Sequence, residues 1–233
     1  MPEPEIVDEL LYEKEDNGIL WIKFNRPDRM NALINPLMLN KIGEYLRAAD
    51  ADPDIRVTVI TGVGRAFCAG VDLRGGGGEG GEGREGRDGG PDSTRQNFTH
   101  HTYPFFDSIS ESRKPTIAMV NGAAVGMGMD ISLRCDIRIG CENTRYFTYQ
   151  NVGQIIENGG MYWMPRIMGL GNALEFLYTG GFLVGEEAHR TGVLNHCVPA
   201  EKLEEETRAL CQKDHQQPAH GPVDRQADHA PRP

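Results

Sequence analysis

Two hydrophobic periods alternate along the chain. Residues 18–24 (GILWIKF) are dense in bulky apolar side chains with strand-like alternation, and they predict a strand. The polar RPDRMN stretch that follows predicts a loop. Across residues 36–49 (PLMLNKIGEYLRAA), Leu37, Leu39, Ile42, Leu46 and Ala49 fall on one helical face. Pro36 suits the first turn of that helix and Asn35 suits its cap. Residues 57–61 (VTVIT) are a short unbroken apolar run, the pattern of a strand buried on both faces. Strand, helix and strand in this order predict a parallel βαβ unit.

The pattern then repeats. Residues 116–121 (TIAMVN) predict a second buried strand, 122–128 (GAAVGMG) a turn of small residues, and 129–134 the start of a helix. Residues 137–140 (IRIG) predict a strand, and 170–179 and 186–191 predict helices, the last with an acidic first turn. The fold class expected is α/β with repeated ββα turns.

Two segments fall outside this pattern. Residues 75–90 (GGGGEGGEGREGRDGG) are almost wholly Gly, Glu, Arg and Asp, and predict a flexible insertion extending over 75–95. No Lys-Ser/Thr pair follows the glycines, and the glutamates repel phosphate, so a phosphate cradle is not expected. Residues 214–233 hold four prolines, few apolar side chains and no period, and predict a disordered tail behind a domain at 1–213.

Composition narrows the function. The 233 residues are 39% hydrophobic and 25% charged, enough for one domain with a sizeable core. A net charge of −10 disfavours nucleic acid as the partner, because phosphate binding needs a basic patch. No apolar run is long enough for a membrane span, and the acidic N-terminal stretch has no secretory core. The five cysteines form no CxxC pair, so neither zinc nor a disulfide framework is expected, and a reducing cytoplasm is the expected setting.

Four motifs follow one another in register. They are Phe24-Asn25-Arg26-Pro27 with Asn31-Ala32-Leu33; Gly64 to Leu73 (GRAFCAGVDL); Lys114 to Gly122 (KPTIAMVNG) running through Gly126-Met127-Gly128 to Cys135-Asp136-Ile137-Arg138; and Asn151-Val152-Gly153 through Glu157 and Gly159-Gly160 to Pro165-Arg166 and Gly169. This series, over residues 8 to about 210, resembles the enoyl-CoA hydratase/isomerase (crotonase) superfamily.

The resemblance implies a ββα superhelix whose C-terminal helical part is cut short where the tail begins. It implies an acyl-CoA substrate, with no metal or redox cofactor, since coenzyme A is part of the substrate. It also implies assembly as trimers or pairs of trimers. An acyl-CoA thioester exchanges a proton beside its carbonyl only if the developing enolate oxygen is stabilised, and two converging backbone N–H donors do this. At the matching positions those donors are Val71 and Met127, the Met127 side chain narrowing the acyl pocket. The coenzyme A loop falls at Arg26, Arg29, Asn31, Ala32, Leu33 and Ala69, with the two arginines serving the phosphates.

For proton transfer, the family's hydratases carry two glutamates, and the matching positions here hold Asp130 and Asn151. Asn151 cannot move a proton. Glu157, six residues on, matches the acid of the family's double-bond isomerases, and one carboxylate can take a proton from one carbon and return it at another. Asp72 and Asp136 are expected to order loops, and Tyr149, Tyr162 and Trp163 to line the acyl pocket or the core. The function expected is double-bond isomerisation by Glu157 and Asp130. The alternatives are hydration by the same two carboxylates and a catalytically silent CoA-binding scaffold.

Overall fold

The computed structural model of the protein describes residues 8–72, 95–148 and 158–215. Most of the insertion expected at 75–95 and of the tail expected at 214–233 lies outside these residues.

In chain order the elements are β1 (Leu10–Lys14), β2 (Ile19–Phe24), α1 (Leu37–Ala51), β3 (Val57–Gly62) and β4 (Ala66–Cys68). A π-helical turn (Phe98–Thr102) leads into α2 (Tyr103–Ser110), followed by β5 (Thr116–Val120), β6 (Ala123–Val125) and α3 (Met127–Arg134). Next come β7 (Ile137–Cys141), β8 (Arg145–Phe147), α4 (Gly160–Met168) and α5 (Leu170–Thr179). The last are β9 (Leu183–Val184), α6 (Gly185–Arg190), β10 (His196–Val198) and α7 (Leu203–His215).

Two sheets result. The larger has the order β1-β2-β3-β5-β7-β10 and is parallel except for the β1–β2 hairpin. The smaller has the order β4-β6-β8-β9, with only β9 antiparallel. Each long strand β3, β5 and β7 passes within a few residues into a short strand of the second sheet, and helix follows. The chain therefore climbs a spiral of ββα turns.

The large sheet is buried on both faces, which is why β3 and β5 read as unbroken apolar runs. One face (Leu20, Ile22, Phe24, Ile60, Val120) packs into the main core with Ile42 and Leu46 of α1, Phe105 of α2 and Met129 of α3. The other face (Ile19, Trp21, Val57, Val59, Ile117, Met119) is covered by Leu203 and Cys211 of α7. Arg208 fastens this last helix, donating to both carboxylate oxygens of Glu15 at 2.7 Å and lying 4.8 Å over the Trp21 ring.

The structure corrects several expectations. The N-cap of α1 is Pro36, without a side-chain cap bond, rather than Asn35. Residues 122–128 contain the strand β6 as well as a turn. Residues 95–97 are already helical, so the insertion ends before residue 95, and α7 runs to His215, into the stretch read as tail. The strand β1 and helix α4 carry no clear sequence period and were not expected.

Candidate active site

Two loops form one wall of the site. The loop after β2 turns through Met30 and Asn31, both at positive φ (52° and 58°). Asn31 is fully buried and makes this conformation hold: its Oδ1 accepts from the Arg26 N–H at 2.9 Å, and its Nδ2 donates to the carbonyls of Val63 (3.0 Å) and Ala66 (2.7 Å). The loop after β4 is stitched to the first. The Ala69 N–H donates to Met30 O at 3.0 Å, the Leu33 N–H to Gly70 O at 2.8 Å, and the Asp72 N–H to Leu33 O at 3.0 Å.

These last two bonds make a parallel bridge between Leu33 and Val71. Gly70 C=O points at Leu33, and in a trans peptide the next N–H points the opposite way. The Val71 N–H is therefore turned away from Leu33. Gly70 itself has φ +84, and a Cβ there would lie 2.8 Å from Val125 O and 3.5 Å from Met127 N. The strand end carrying Val71 thus lies directly against the start of α3.

Met127 is the first residue of α3, after Gly126 at φ 54°, and no side chain caps this end. The Asp130 N–H donates to Gly126 O at 3.1 Å. N–H groups earlier in a helix have no partner within it, and the helix end carries partial positive charge. Gly128 brings this end close: a Cβ on it would fall 2.2 Å from Cys68 O. The Met127 side chain is 5% exposed and packs in the main core. Chemically, the arrangement offers a small positive dipole field beside main-chain donors, suited to an oxygen that becomes negative.

The other predicted residues sort as follows. Asp130 is 1% exposed at the end of the first turn of α3. Glu157, Asn151 and Tyr149 lie outside the described residues. The Arg26 guanidinium is engaged within the wall, donating to Asp72 Oδ2 at 3.0 Å and to Ala32 O. Arg29 is exposed at the end of a short 3-10 turn, while Ala32 and Leu33 are buried. Asp136 orders a loop, its Oδ2 accepting from the N–H and Oγ of Thr116 at 2.7 Å each. Trp163 is half-buried against the main core, edge-on to Tyr162, and Arg166 stacks on Tyr162 at 3.5 Å.

Burial pushes the Cys68 thiol up to about 12, despite the Gly70 N–H it accepts, so this sulfur under the site is neutral. Sequence reasoning missed Arg134, four residues after Asp130 on α3, whose guanidinium meets α2 and the start of α4. The available signal was a charge inside an otherwise apolar helical stretch.

The sequence profile of the family described as enoyl-CoA hydratase/isomerase matches residues 14–222. A 1,2-epoxyphenylacetyl-CoA isomerase of Escherichia coli is 29% identical over 215 residues, covering 91% of this chain and 79% of that protein. An enoyl-CoA hydratase of Alternaria alternata is 34% identical over 78% of this chain, which spans 58% of that protein's length. The crystal structure of an enoyl-CoA hydratase subunit from Geobacillus kaustophilus superimposes with a TM-score of 0.78 at 31% identity, covering 91% of this chain and 77% of that one.

Proposed function

The chain belongs to the enoyl-CoA hydratase/isomerase family, and from that premise we propose that it shifts the double bond of an enoyl-CoA thioester through an enolate held by main-chain N–H groups. The observation that carries this reading is the contact of the Gly70–Val71 strand end with the uncapped N-terminus of α3.

In the proposed reaction the thioester oxygen accepts from the N–H groups of Val71 and Met127. A carboxylate removes a proton from the α-carbon of a 3-enoyl-CoA. The freed electron pair forms the C1–C2 double bond, and the carbonyl pair moves onto the oxygen. When the carbonyl re-forms, the C1–C2 pair becomes the new C2–C3 double bond. The old C3–C4 pair then takes the proton at the γ-carbon. No electron leaves the substrate, so the scheme calls for no redox group. Glu157 is the proposed carrier of the proton, assisted by Asp130. Each donor to the oxygen is worth about 10²–10³ in rate.

For coenzyme A, the proposed contacts are the backbone of Asn31, Ala32, Leu33 and Ala69, with Arg29 toward the phosphates. Arg26 acts on the ligand through the loop it holds with Asp72.

Conversion of a 3-enoyl-CoA to the conjugated 2-enoyl-CoA tests the reading. Glu157→Gln is expected to lower turnover about 10²–10⁴-fold. Unchanged turnover in that variant removes Glu157 from the reaction. Hydration is the second reading, favoured by the name of the Alternaria alternata relative. Water addition to a 2-enoyl-CoA that is lost in both Asp130→Asn and Glu157→Gln would replace the isomerase reading. Assembly as a trimer is part of the proposal, and light scattering of the eluting protein tests it.

A further inference from the structure

Asp130 and Arg134 are four residues apart on α3, which puts their side chains on one helix face, a turn apart. Arg134 is the last residue of the helix. Its Nη1 donates to Ser110 Oγ of α2 at 2.8 Å, its Nη2 to Asn158 O at 3.5 Å, and its Cζ lies 5.3 Å over the Phe106 ring. Backbone closes the remaining side. A Cβ on Gly159 would lie 2.9 Å from Nη2 and 3.1 Å from Nε, so a glycine, at φ +102, lets the entrance of α4 rest on the guanidinium. The buried Nε has no hydrogen-bond partner among the described residues.

The hydroxyl and carbonyl around this cation are neutral, so its charge is balanced from farther away. Burial lowers the Arg134 pKa, and the charges of Asp107 and Asp130 oppose that shift. Asp107 is exposed, and water screens its charge, whereas Asp130 is 1% exposed. A buried carboxylate needs a cation to stay ionised, and Arg134 is the cation on its own face of α3.

Other titratable groups among the described residues lie on the elements around α3. Cys68 of β4 and Tyr146 of β8 are each pushed up to about 12 by burial. Tyr103 of α2 is exposed, and Arg166 of α4 is exposed and stacked on Tyr162.

We propose that Arg134 is the positioning residue of the assisting carboxylate, Asp130: clamped by Ser110, Phe106 and the Asn158–Gly159 backbone, it supplies a fixed positive charge that favours the anionic form of Asp130. The proposal rests on the proton-transfer role assigned to Asp130 above.

The test is a carbon-13 NMR titration of the Asp130 carboxyl, its signal identified by loss in Asp130→Asn. In Arg134→Met the carboxyl is expected to titrate about one unit or more higher than in the wild type. In Arg134→Lys it is expected to stay near the wild-type value. Equal values in the wild type and Arg134→Met overturn the proposal. Should Arg134→Met fail to fold, adding Asp130→Asn removes the buried negative charge. Recovery of the fold supports the pairing, and no recovery overturns it.

Enzyme assays keep this result distinct from the reaction it rests on. A shifted Asp130 in a protein that turns over no enoyl-CoA removes the reaction and leaves the pairing.

Discussion

Gly128→Ala probes the contact on which the enolate site depends. The added methyl would fall 2.2 Å from Cys68 O and 2.8 Å from Cys68 Cβ, both on the end of β4. Ordinary carbon contacts are about 3.5 Å or longer, so α3 and the β4 end must separate by roughly 1 Å. Neither neighbour is a flexible side-chain tip. The expected loss of stability is about 1–3 kcal/mol, the usual range for overpacking. For a chain of this size that corresponds to a fall in Tm of about 2–12 °C. The same separation moves Met127 N away from the Val71 arm. A misplacement of about 1 Å costs on the order of 10² in kcat.

The assay pairs thermal unfolding with 3-enoyl-CoA isomerisation, with rates taken well below the variant's Tm. Gly171→Ala serves as the control, because a Cβ there meets nothing within 4 Å and the site is helical. There the substitution is expected to leave kcat alone and to raise stability by about 0.5–1 kcal/mol. Wild-type kcat and Tm in Gly128→Ala would refute the reasoning, because the two arms would then not need to meet at that distance.

Three further outcomes follow from the geometry. Arg26→Met strips the cation from Asp72, whose side chain is 8% exposed, and is expected to cost about 3 kcal/mol in urea unfolding and to raise KM for the CoA thioester; a loss below about 0.5 kcal/mol would show that the pair does not hold the loop. Arg208→Ala is expected to cost only about 1 kcal/mol, because its side chain is 35% exposed and screened. Although burial raises it, the Glu15 carboxyl is drawn below its ordinary 4.5 by bonds from Arg208, Asn17 and Trp21, so the pair's contribution is present above 4.5 and lost as pH falls through the lowered value. The gap between Arg208→Ala and the wild type should therefore narrow as pH falls from 4.5 through that lowered value, and a gap unchanged there would contradict this. Burial pushes Cys68 up to about 12, and burial with the Glu186 charge pushes Cys197 up to about 11, so iodoacetamide at about pH 8 should label both far more slowly in the native protein than in urea. Rapid native labelling of Cys68, read by mass spectrometry, would contradict its burial.

The long strands were legible because burial on both faces leaves unbroken apolar runs at β3 and β5. The strands β4, β6 and β8 have three residues each, too few to carry a period, and they exist through pairing with one another across the chain. β1 was hidden because an edge strand, with only Leu10 fully buried, can carry Glu13 and Lys14. Val71 and Met127 could be found only through motifs, since a main-chain N–H leaves no side-chain trace. The partner of Arg26 lies 46 residues away, and those of Arg134 lie 24 residues to either side. Loop charge and clamped charge look alike until the fold brings them together.

The covering of Trp21, Val57, Val59, Ile117 and Met119 by α7 has a consequence for synthesis. A ribosome completes all six strands of the large sheet before it reaches Leu203, so the growing polypeptide presents a broad oily surface until α7 follows. Self-association is therefore most dangerous just before α7 emerges, and chaperones that shield nascent chains would engage this protein there.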